Sequence, residues 1–370
     1  MAKENKKPLI ILTAGGTGGH VFPAEALAEE LSSRGYELAL VTDCRGKNNY
    51  QGKLGEITNY SVCAGAIVGK SKLFKIKSLF KTCIGILQSI ILLMKNKPVC
   101  VVGFGGYASF PCSMASILLG IDLIIHEQNS VMSRTNRFLG KYATFIAQSF
   151  EKTKYSPSRT KNILTGMPIR KSISELNNRK YTTKNKNNKF RILVIGGSQG
   201  AKIFGEVIPE AIKQIPSNLQ KNLQIFHQCR KDDIDLVKNN YSNCSAELNI
   251  SHFFNNMNEL YSETSLIISR AGASSITEIT ASKLPSIIIP LPTAADNHQA
   301  ENALSIANNQ AGIIIEQKNL TADILSTKIT ELLENEEQLT SMSEQANKIC
   351  ITNAAQRFAD AIEKEIIYTI

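Results

Sequence analysis

Short apolar runs rich in β-branched residues alternate along this chain with longer segments whose apolar residues recur every three or four positions. That alternation predicts the α/β class, a parallel sheet covered by helices. Strands are predicted at residues 9–13, 38–42, 99–102 and 123–126 in the first half, and at 190–195, 223–227, 266–269 and 286–290 in the second. A last helical pattern covers residues 354–367.

The pattern also predicts two domains. At about 150 residues per domain, a chain of 370 residues is long enough for two. Both halves begin with an apolar strand, a glycine turn and a helix, PLIILTAGGTGGH and FRILVIGGSQGA. We therefore predict a Rossmann-like domain over 1–170, an Asn/Lys-rich linker over 171–189, a second Rossmann-like domain over 190–350 and a C-terminal helical segment over 351–370, whose packing partner the pattern leaves undecided. A ligand is expected in a cleft at the carboxyl ends of both sheets.

Charge and composition narrow the class of protein. Residues 1–180 hold 25 Lys/Arg against 11 Asp/Glu, whereas residues 181–370 hold 17 against 21. The basic first half predicts an anionic ligand or surface. Nucleic acid is not the expected partner, because the chain has no Trp and no recognition module. The eight cysteines show no CxxC spacing and are expected to be buried thiols in a reducing compartment.

The apolar runs are too short for membrane insertion. The run near the N-terminus ends in glycines, and the longest run, residues 83–94, falls short of the about 20 residues that span a bilayer. We therefore expect neither a signal peptide nor a transmembrane helix.

The stretch from Lys70 to Lys97 contains seven lysines and no acidic residue. In its first part, apolar side chains interleave with the lysines, which is typical of a helix lying on an anionic membrane. The predicted membrane patch consists of Leu73, Phe74, Ile76, Leu79 and Phe80. The later part, from Ile84 to Ile91, is expected to face the core.

The first glycine loop, from Gly15 to His20, precedes a helix and is suited to binding phosphate. An NAD-dependent oxidoreductase remains an alternative, since Gly16, Gly18 and Asp43 fit a dinucleotide site although Val21 stands at the third glycine position.

Ser198 in GGSQG could be a hydrolase nucleophile, but the nearby Asp296 and His298 share one loop, which does not suit a triad. No metal site is predicted, because Asp233 and Asp235 fit a solvated helix start.

Seven motifs occur in order along the chain: GGTGGHVFPA (15–24), GFGGYASFP (103–111), HEQN (126–129), GMPIR (166–170), GGSQGA (196–201), SRAGASSITE (269–278) and DNHQAENA (296–303). Together they resemble the MurG family of bacterial glycosyltransferases. The resemblance implies a GT-B fold and transfer of N-acetylglucosamine from UDP-N-acetylglucosamine to lipid I, giving lipid II for peptidoglycan, cell shape and cell division. It further implies inversion at the anomeric carbon without an obligatory metal or other cofactor. The expected location is the cytoplasmic face of the inner membrane, as a peripheral protein contacting anionic phospholipid and other cell-wall synthesis proteins.

The resemblance also implies a donor site. Thr17, Gly18 and Gly19 would face the diphosphate and sugar, Asn129 and Arg170 would reach the same site, and Ser198 would bond a phosphate oxygen. Glu278 would accept hydrogen bonds from the ribose, and Gln299 would touch the sugar. The nucleotide would be lined by Ala273, Ser274, Ser275, Ile276, Thr277 and Glu278, with the backbone of Phe254 bonding the uracil where an aliphatic residue is expected.

Residue chemistry supplies a catalytic base and leaves several other roles open. His20 lies at a helix start, where the positive end of the dipole favours a neutral imidazole able to accept a proton near pH 7. His20 is therefore the predicted base, although it could be only a structural donor. Glu278 could instead be a favourable acid in a first helical turn, and Arg170 a surface charge. His126 is expected to be structural, and Tyr107 could line the acceptor pocket or pack on the sheet.

Overall fold

The computed structural model describes residues 8–15, 18–43, 50, 52–65, 72–197 and 200–369. They form two compact units, one drawn from residues 1–170 and 353–370 and the other from residues 171–352. Each unit is a parallel sheet with helices packed on it, which confirms the predicted α/β class.

The first unit has a sheet of seven described strands in the order β3-β2-β1-β4-β5-β6-β7. All neighbours are parallel, with Ile10 of β1 opposite Cys100 of β4. The strands are β1 Leu9–Thr13, β2 Glu37–Asp43, β3 Thr58–Val62, β4 Cys100–Gly103, β5 Asp122–Glu127, β6 Phe145–Gln148 and β7 Lys161–Leu164. The helices are α1 Gly18–Ser33, α2 Lys53–Glu56, α3 Lys72–Asn96, α4 Gly106–Leu118 and α5 Arg134–Leu139.

The second unit repeats the architecture with six described strands in the order β10-β9-β8-β11-β12-β13. Its strands are β8 Phe190–Ile195, β9 Leu223–Gln228, β10 Glu247–Ser251, β11 Leu266–Ser269, β12 Ser286–Ile288 and β13 Gly312–Ile314. Its helices are α6 Lys171–Ser174, α7 Lys202–Gln214, α8 Ser217–Gln220, α9 Ile234–Asn240, α10 Met257–Ser262, α11 Ala273–Ala281, α12 His298–Ala307, α13 Ala322–Leu333 and α14 Glu336–Ile349. Because every strand is parallel, the loops after the strands of each sheet gather at one edge.

The C-terminal helix α15, Ala354–Glu365, belongs to the first unit. Phe358 is fully buried, with its ring 6.3 Å from that of Phe104 and 5.4 Å from the His126 ring, centroid to centroid. On the helix surface, Asp360 and Glu363 each lie 2.7 Å from the Arg34 guanidinium of the same unit. Burial of Phe358 with Ala359 and Ile362 in the core, and the ion-pair cluster on the surface, therefore hold the last helix on the first unit.

The Asn/Lys-rich segment 171–189 differs from the predicted linker, because it packs as part of the second unit. Ile173 and Leu176 are buried, and the Tyr181 hydroxyl donates a hydrogen bond to the Ser265 carbonyl at 2.7 Å. Asn185 donates to Gln224 at 3.0 Å. The few apolar residues anchor the segment, and the side chains of Asn177 and Asn185 make hydrogen bonds within the second unit.

From Ser78 to Ser89, helix α3 turns polar and small residues toward the protein and leaves several large apolar residues exposed. Ser78, Thr82 and Ser89 are buried, and a Cβ on Gly85 would overlap the Cys63 carbonyl oxygen. The expectation that the later part faces the core is therefore wrong, because Leu87 and Ile91 are 62% and 64% exposed and Ile84 is only half-buried. Close approach of the helix backbone at Gly85 decides which face points inward there, whereas nearer the end of the helix Leu93 is buried in the core.

Within the described residues, one helical stretch, Phe74–Asn96, is long and apolar enough to cross a membrane by length and composition. The stretch is longer than the apolar run at residues 83–94, on which the expectation of no transmembrane helix was based. Its inward face packs against the first unit, with the Gln88 side chain accepting a hydrogen bond from the Cys63 amide at 2.8 Å. A helix tied to its own domain in this way fits a surface element of a globular unit.

Candidate active site

His20 lies in the first turn of α1, at the carboxyl edge of the first sheet. Its Nδ1 is buried and has no hydrogen-bond partner among the described residues. Burial lowers the pKa of the imidazole below its usual value, and the nearby Phe104 carbonyl and Gln128 side chain oppose that shift only in part. The side chain is therefore neutral at pH 7, as a proton acceptor must be.

The second glycine loop leaves room for this imidazole. Gly105 and Gly106 have φ of +84° and +75°, a backbone conformation that favours glycine. A Cβ on Gly106 would lie 3.4 Å from both Nε2 and Cδ2 of His20. Glycine at this position thus keeps a side chain off the histidine.

Glu127 of the HEQN motif organises the loop after β5. It is fully buried, and its carboxylate accepts hydrogen bonds from the Asn129 amide and the Ser133 amide, each at 3.0 Å, and from the Asn136 side chain at 2.8 Å. Burial raises the pKa of this carboxyl, while these donors oppose the rise. Glu127 thereby fixes the backbone of Asn129, one of the predicted site residues.

The two neighbours of Glu127 connect the loop to the surroundings of His20. Gln128 donates to the Phe104 carbonyl at 2.7 Å and lies 3.1 Å from Nδ1 of His126. His126 is fully buried, which lowers its pKa to about 3, in agreement with the expected structural role. The HEQN motif predicted no role for Glu127 or Gln128, because spacing alone does not show which side chains at the end of a strand point inward.

Arg170 is also brought to α1. Its guanidinium lies 5.2 Å from the centre of the Phe22 ring, one turn after Gly18 and Gly19, which begin the helix half-buried. Stacking on an aromatic ring helps to hold a cation in place. The structure therefore gathers Gly18, Gly19, His20, Asn129 and Arg170 in the first unit.

Asp43, which the dehydrogenase alternative assigned to a ribose, is buried at the end of β2. Its carboxylate accepts a hydrogen bond from the Tyr107 hydroxyl at 3.2 Å. This contact ties the second glycine loop to β2 and gives both side chains a packing role.

Glu278 is the sixth residue of α11 and lies in its second turn, so it is not the first-turn acid of the alternative interpretation. The side chain is nearly buried, and the Tyr261 hydroxyl donates to its Oε2 at 3.0 Å. One carboxylate oxygen is thus oriented by a neighbouring helix. Tyr261 is a further positioning residue that the sequence did not single out.

The remaining predicted donor contacts lie at the start of α11 and in the loops beside it. Gln299, in the first turn of α12, accepts hydrogen bonds through Oε1 from the Ala271 amide at 3.2 Å and the Leu291 amide at 3.0 Å. The Phe254 ring is half-buried, 5.8 Å from that of Phe226. Residues Ala273, Ser274, Ser275, Ile276 and Thr277 form the first five positions of α11.

Three predictions fall where the structure gives no description. Thr17 and Ser198 lie outside the described residues, and of Leu73 only the helical backbone is described. Over the described ranges, no three His, Cys, Asp or Glu side chains come together as a metal site. Asp233 of the predicted helix start instead pairs with Arg230 at 2.6 Å.

Comparison with known protein families covers both units. The N-terminal domain of glycosyltransferase family 28 matches residues 10–148, and the C-terminal domain of the same family matches residues 191–364. Membership of a glycosyltransferase family contradicts the dehydrogenase and hydrolase alternatives for the glycine loops.

Individual relatives match along nearly the whole chain. A UDP-N-acetylglucosamine–N-acetylmuramyl-(pentapeptide) pyrophosphoryl-undecaprenol N-acetylglucosamine transferase of Paramagnetospirillum magneticum is 39% identical over 97% of both chains. The enzyme of that name from Rickettsia bellii is 41% identical over 90% of this chain and 93% of its own. The crystal structure of MurG from Acinetobacter baumannii matches 97% of this chain and 99% of that one, with a TM-score of 0.77 and 32% identity. The chain therefore belongs to glycosyltransferase family 28 and, within it, to the MurG family, with the GT-B type of fold.

Proposed function

We propose that this protein transfers N-acetylglucosamine from UDP-N-acetylglucosamine to the undecaprenyl-pyrophosphoryl-linked N-acetylmuramyl pentapeptide, lipid I, to make lipid II. The observation that carries the proposal is the match, along nearly the full chain, to relatives that are named as transferases for this reaction. The neutral, partly enclosed imidazole of His20 and the oriented carboxylate of Glu278 fit the roles that the reaction requires.

In the proposed reaction, the acceptor hydroxyl oxygen attacks the anomeric carbon of the donor sugar. A bond forms between that oxygen and the carbon, the bond from the carbon to the phosphate oxygen breaks, and UDP leaves with the electron pair. His20 takes the proton of the hydroxyl, which its lowered pKa permits at neutral pH. A single displacement inverts the configuration at the anomeric carbon.

We also propose that the reaction needs no metal. Residues of this chain must then stabilise the negative charge on the departing UDP. The start of α1 and the Arg170 guanidinium supply positive potential in the first unit, and Ser198 is proposed to bond a phosphate oxygen. Activity that persists in EDTA would support this part. Loss of activity in EDTA that Mg²⁺ restores would contradict it.

The donor contacts are proposed for the second unit. Glu278 would accept hydrogen bonds from the ribose hydroxyls, the Phe254 backbone would bond the uracil, and Gln299 would touch the sugar. The oxygen of Gln299 is already engaged by two backbone amides, which leaves its NH₂ group to donate to a hydroxyl.

We further propose that α3 holds the enzyme on an anionic membrane at the cytoplasmic face. Ile76, Leu79 and Phe80 are 65%, 57% and 68% exposed, whereas Phe74 is half-buried. Lys75, Lys77 and Lys81 are exposed beside them. The cytoplasmic leaflet is the negatively charged one, and each lysine near it contributes about 1 kcal/mol.

The test of the function is incubation of the full chain with labelled UDP-N-acetylglucosamine and a lipid I analogue. Label should appear in a disaccharide lipid, and omission of the acceptor should leave only free sugar from slow hydrolysis. If the enzyme binds UDP but labels no lipid-linked product under any membrane condition, the acceptor assignment is wrong. A second readout, equilibrium binding of UDP against NADH, should show binding of UDP alone.

A further inference from the structure

A buried arginine without a carboxylate partner lies at the carboxyl edge of the second sheet. Arg270 directly follows β11 and is only 7% exposed. Its Nη1 donates to the carbonyls of Ile289 at 3.0 Å and Pro290 at 3.3 Å, and its Nη2 donates to Gln317 Oε1 at 2.7 Å. Among the described residues, all of these acceptors are neutral, and no carboxylate forms an ion pair with the guanidinium.

The same unit contains a second arginine that serves as a comparison. Arg191, near the start of β8, is 6% exposed, and its guanidinium lies 4.6 Å from the centre of the Phe226 ring. Arg270 stacks in the same way, 4.7 Å from the centre of the Phe204 ring. Arg191, however, pairs with Glu263 at 2.8 Å. The two arginines therefore match in burial and stacking and differ in charge compensation.

An uncompensated buried cation is unfavourable by several kcal/mol, so its presence calls for a reason. Burial lowers the pKa of Arg270, but a guanidinium remains charged at pH 7. Hydrogen bonding to carbonyls alone could be supplied by a neutral side chain. The Phe204 ring attracts the charge, but none of the hydrogen-bond acceptors around the guanidinium carries a negative charge to compensate it.

The position of this charge suggests what uses it. The Arg270 amide donates to the carbonyl of Ile195, the residue that precedes the Gly196–Gly197 turn, at 3.3 Å. The next amide, that of Ala271, bonds Gln299, and α11 begins two residues later at Ala273. Arg270 thus lies among the loops to which the proposed function assigns the donor, and an anionic ligand there would supply the missing negative charge.

We propose that Arg270 is the counter-charge for the diphosphate of the donor and makes the second unit select nucleoside diphosphates over nucleosides. This inference rests on the proposed donor site. Arg270 acts through its field, as a specificity-determining residue, while also joining the loops after β11 and β12. Because the charge is buried, salt screens its field much less than that of a surface lysine.

Binding of uridine and of UDP to the full chain, measured by calorimetry, separates the field from the loop contacts. The readout is the ratio of the two dissociation constants, which isolates the contribution of the phosphates. Arg270→Met should reduce the preference for UDP by about tenfold or more, with uridine binding changed by less than about threefold. Arg270→Lys should keep most of the preference, because it keeps the charge.

Gln317→Glu tests the same idea without removing the arginine. It places a carboxylate on the side chain that already contacts Nη2, so it neutralises the field and retains the hydrogen bond. It should reduce the preference for UDP to a similar extent. Arg191→Met is the matched control and should leave the ratio unchanged, whatever it does to stability.

Three results would overturn the inference: equal loss of uridine and UDP binding in Arg270→Met, an unchanged ratio in Gln317→Glu, or equal effects of Met and Lys at position 270. Gln317→Glu keeps the test decisive if Arg270→Met does not fold. If the native chain does not prefer UDP to uridine, both the proposed donor site and the inference are wrong. If the native chain prefers UDP and the variants keep that preference, only the inference is wrong.

Discussion

The chemistry assigned to His20 depends on its surroundings more than on its residue type. A histidine in water titrates near pH 6.5 and would be partly protonated at neutral pH. Burial of the imidazole beside Gly106 and Gln128 shifts its pKa downward and keeps the nitrogen lone pair available. The imidazole is therefore neutral over the whole neutral range, as the proposed role of a base requires.

His20→Ala should lower kcat by a factor on the order of 10² to 10⁴, the usual contribution of general-base catalysis, and leave UDP binding nearly intact. The native kcat/KM should be flat above pH 7 and fall only below pH 6.5, because the lowered pKa keeps the base neutral above that value. Initial rates between pH 5 and 8 check both statements. Near-normal kcat in the variant would dismiss His20 as the base.

Glu278→Ala should weaken UDP binding by about 1.5–3 kcal/mol, the range of hydrogen bonds to a charged group. It should also erode discrimination against a 2′-deoxyribose donor. Tyr261→Phe is the control, since it removes only the hydroxyl that orients Oε2 and should have a smaller effect in the same direction. Equal relative losses for ribose and deoxyribose nucleotides would remove the ribose role.

At the scale of the element, α3 shows that a helix can bury polar side chains and expose apolar ones over much of its length. Ser78, Thr82 and Ser89 face the protein, as does Leu93 near the end of the helix. An exposed apolar row runs along the other side through Ile76, Phe80, Leu87, Ile91 and Met94. Hydroxyls of Thr82 and Ser89 on the inward face are satisfied by carbonyls one turn earlier, at 2.9 and 2.7 Å. An exposed apolar row of this length indicates a membrane or protein contact.

Ile76→Asp combined with Phe80→Asp should abolish binding to vesicles that contain anionic lipid and leave UDP binding unchanged. Both residues are exposed, so the change places no charge in the core. Binding by the native chain should fall steeply from low to high salt, because the lysines contribute through screened charges. Co-sedimentation measures both effects.

The matched control for the α3 variant is Leu236→Asp with Ile324→Asp, which changes two exposed apolar residues of the second unit. It should bind vesicles as the native chain does. Loss of binding in this control would show that added negative charge alone repels the protein from the membrane. A native chain that ignores anionic vesicles at low salt would contradict the role of α3.

At the scale of the whole molecule, each unit contains a buried neutral histidine that links stability to pH. Burial lowers the pKa of His126 in the first unit to about 3 and that of His227 in the second to about 4. Below pH 6.5 the unfolded chain binds protons at these sites that the folded chain excludes. Stability is therefore full above pH 6.5 and is lost as the pH falls toward the folded-state pKa.

Urea unfolding of the second unit should consequently show a loss of about 2 kcal/mol from His227 alone between pH 7 and pH 5. In His227→Gln this pH-dependent loss should be absent. The variant should also be less stable at every pH, because it loses the 3.0 Å contact between Nδ1 and the Tyr241 hydroxyl. The measured quantity is the difference between the two pH values within each protein. An identical difference in native and variant chains would show that His227 is not the linked group.

The sequence by itself determined the α/β class, the two sheets and the motifs of the site. β1 and, apart from Arg191, β8 are apolar runs because they are buried on both faces, so the sequence pattern alone is enough to predict them. Edge strands such as β3 and β7 carry polar or exposed residues and owe their conformation to pairing with a neighbour. The predictions accordingly found most of the interior strands and missed the four edge strands, together with the interior strand β6.

Only the tertiary structure decided which side of α3 faces outward, that residues 171–189 pack with the second unit, and that the last helix returns to the first. Each of these depends on contacts between residues far apart in the chain, such as Phe358 against His126 and Gly85 against Cys63. Local periodicity registers neither close backbone approach nor hydrogen bonds of polar side chains. For the same reason, the missing counter-charge of Arg270 could not be seen in the SRAGASS motif, because a charge is uncompensated only relative to everything packed around it.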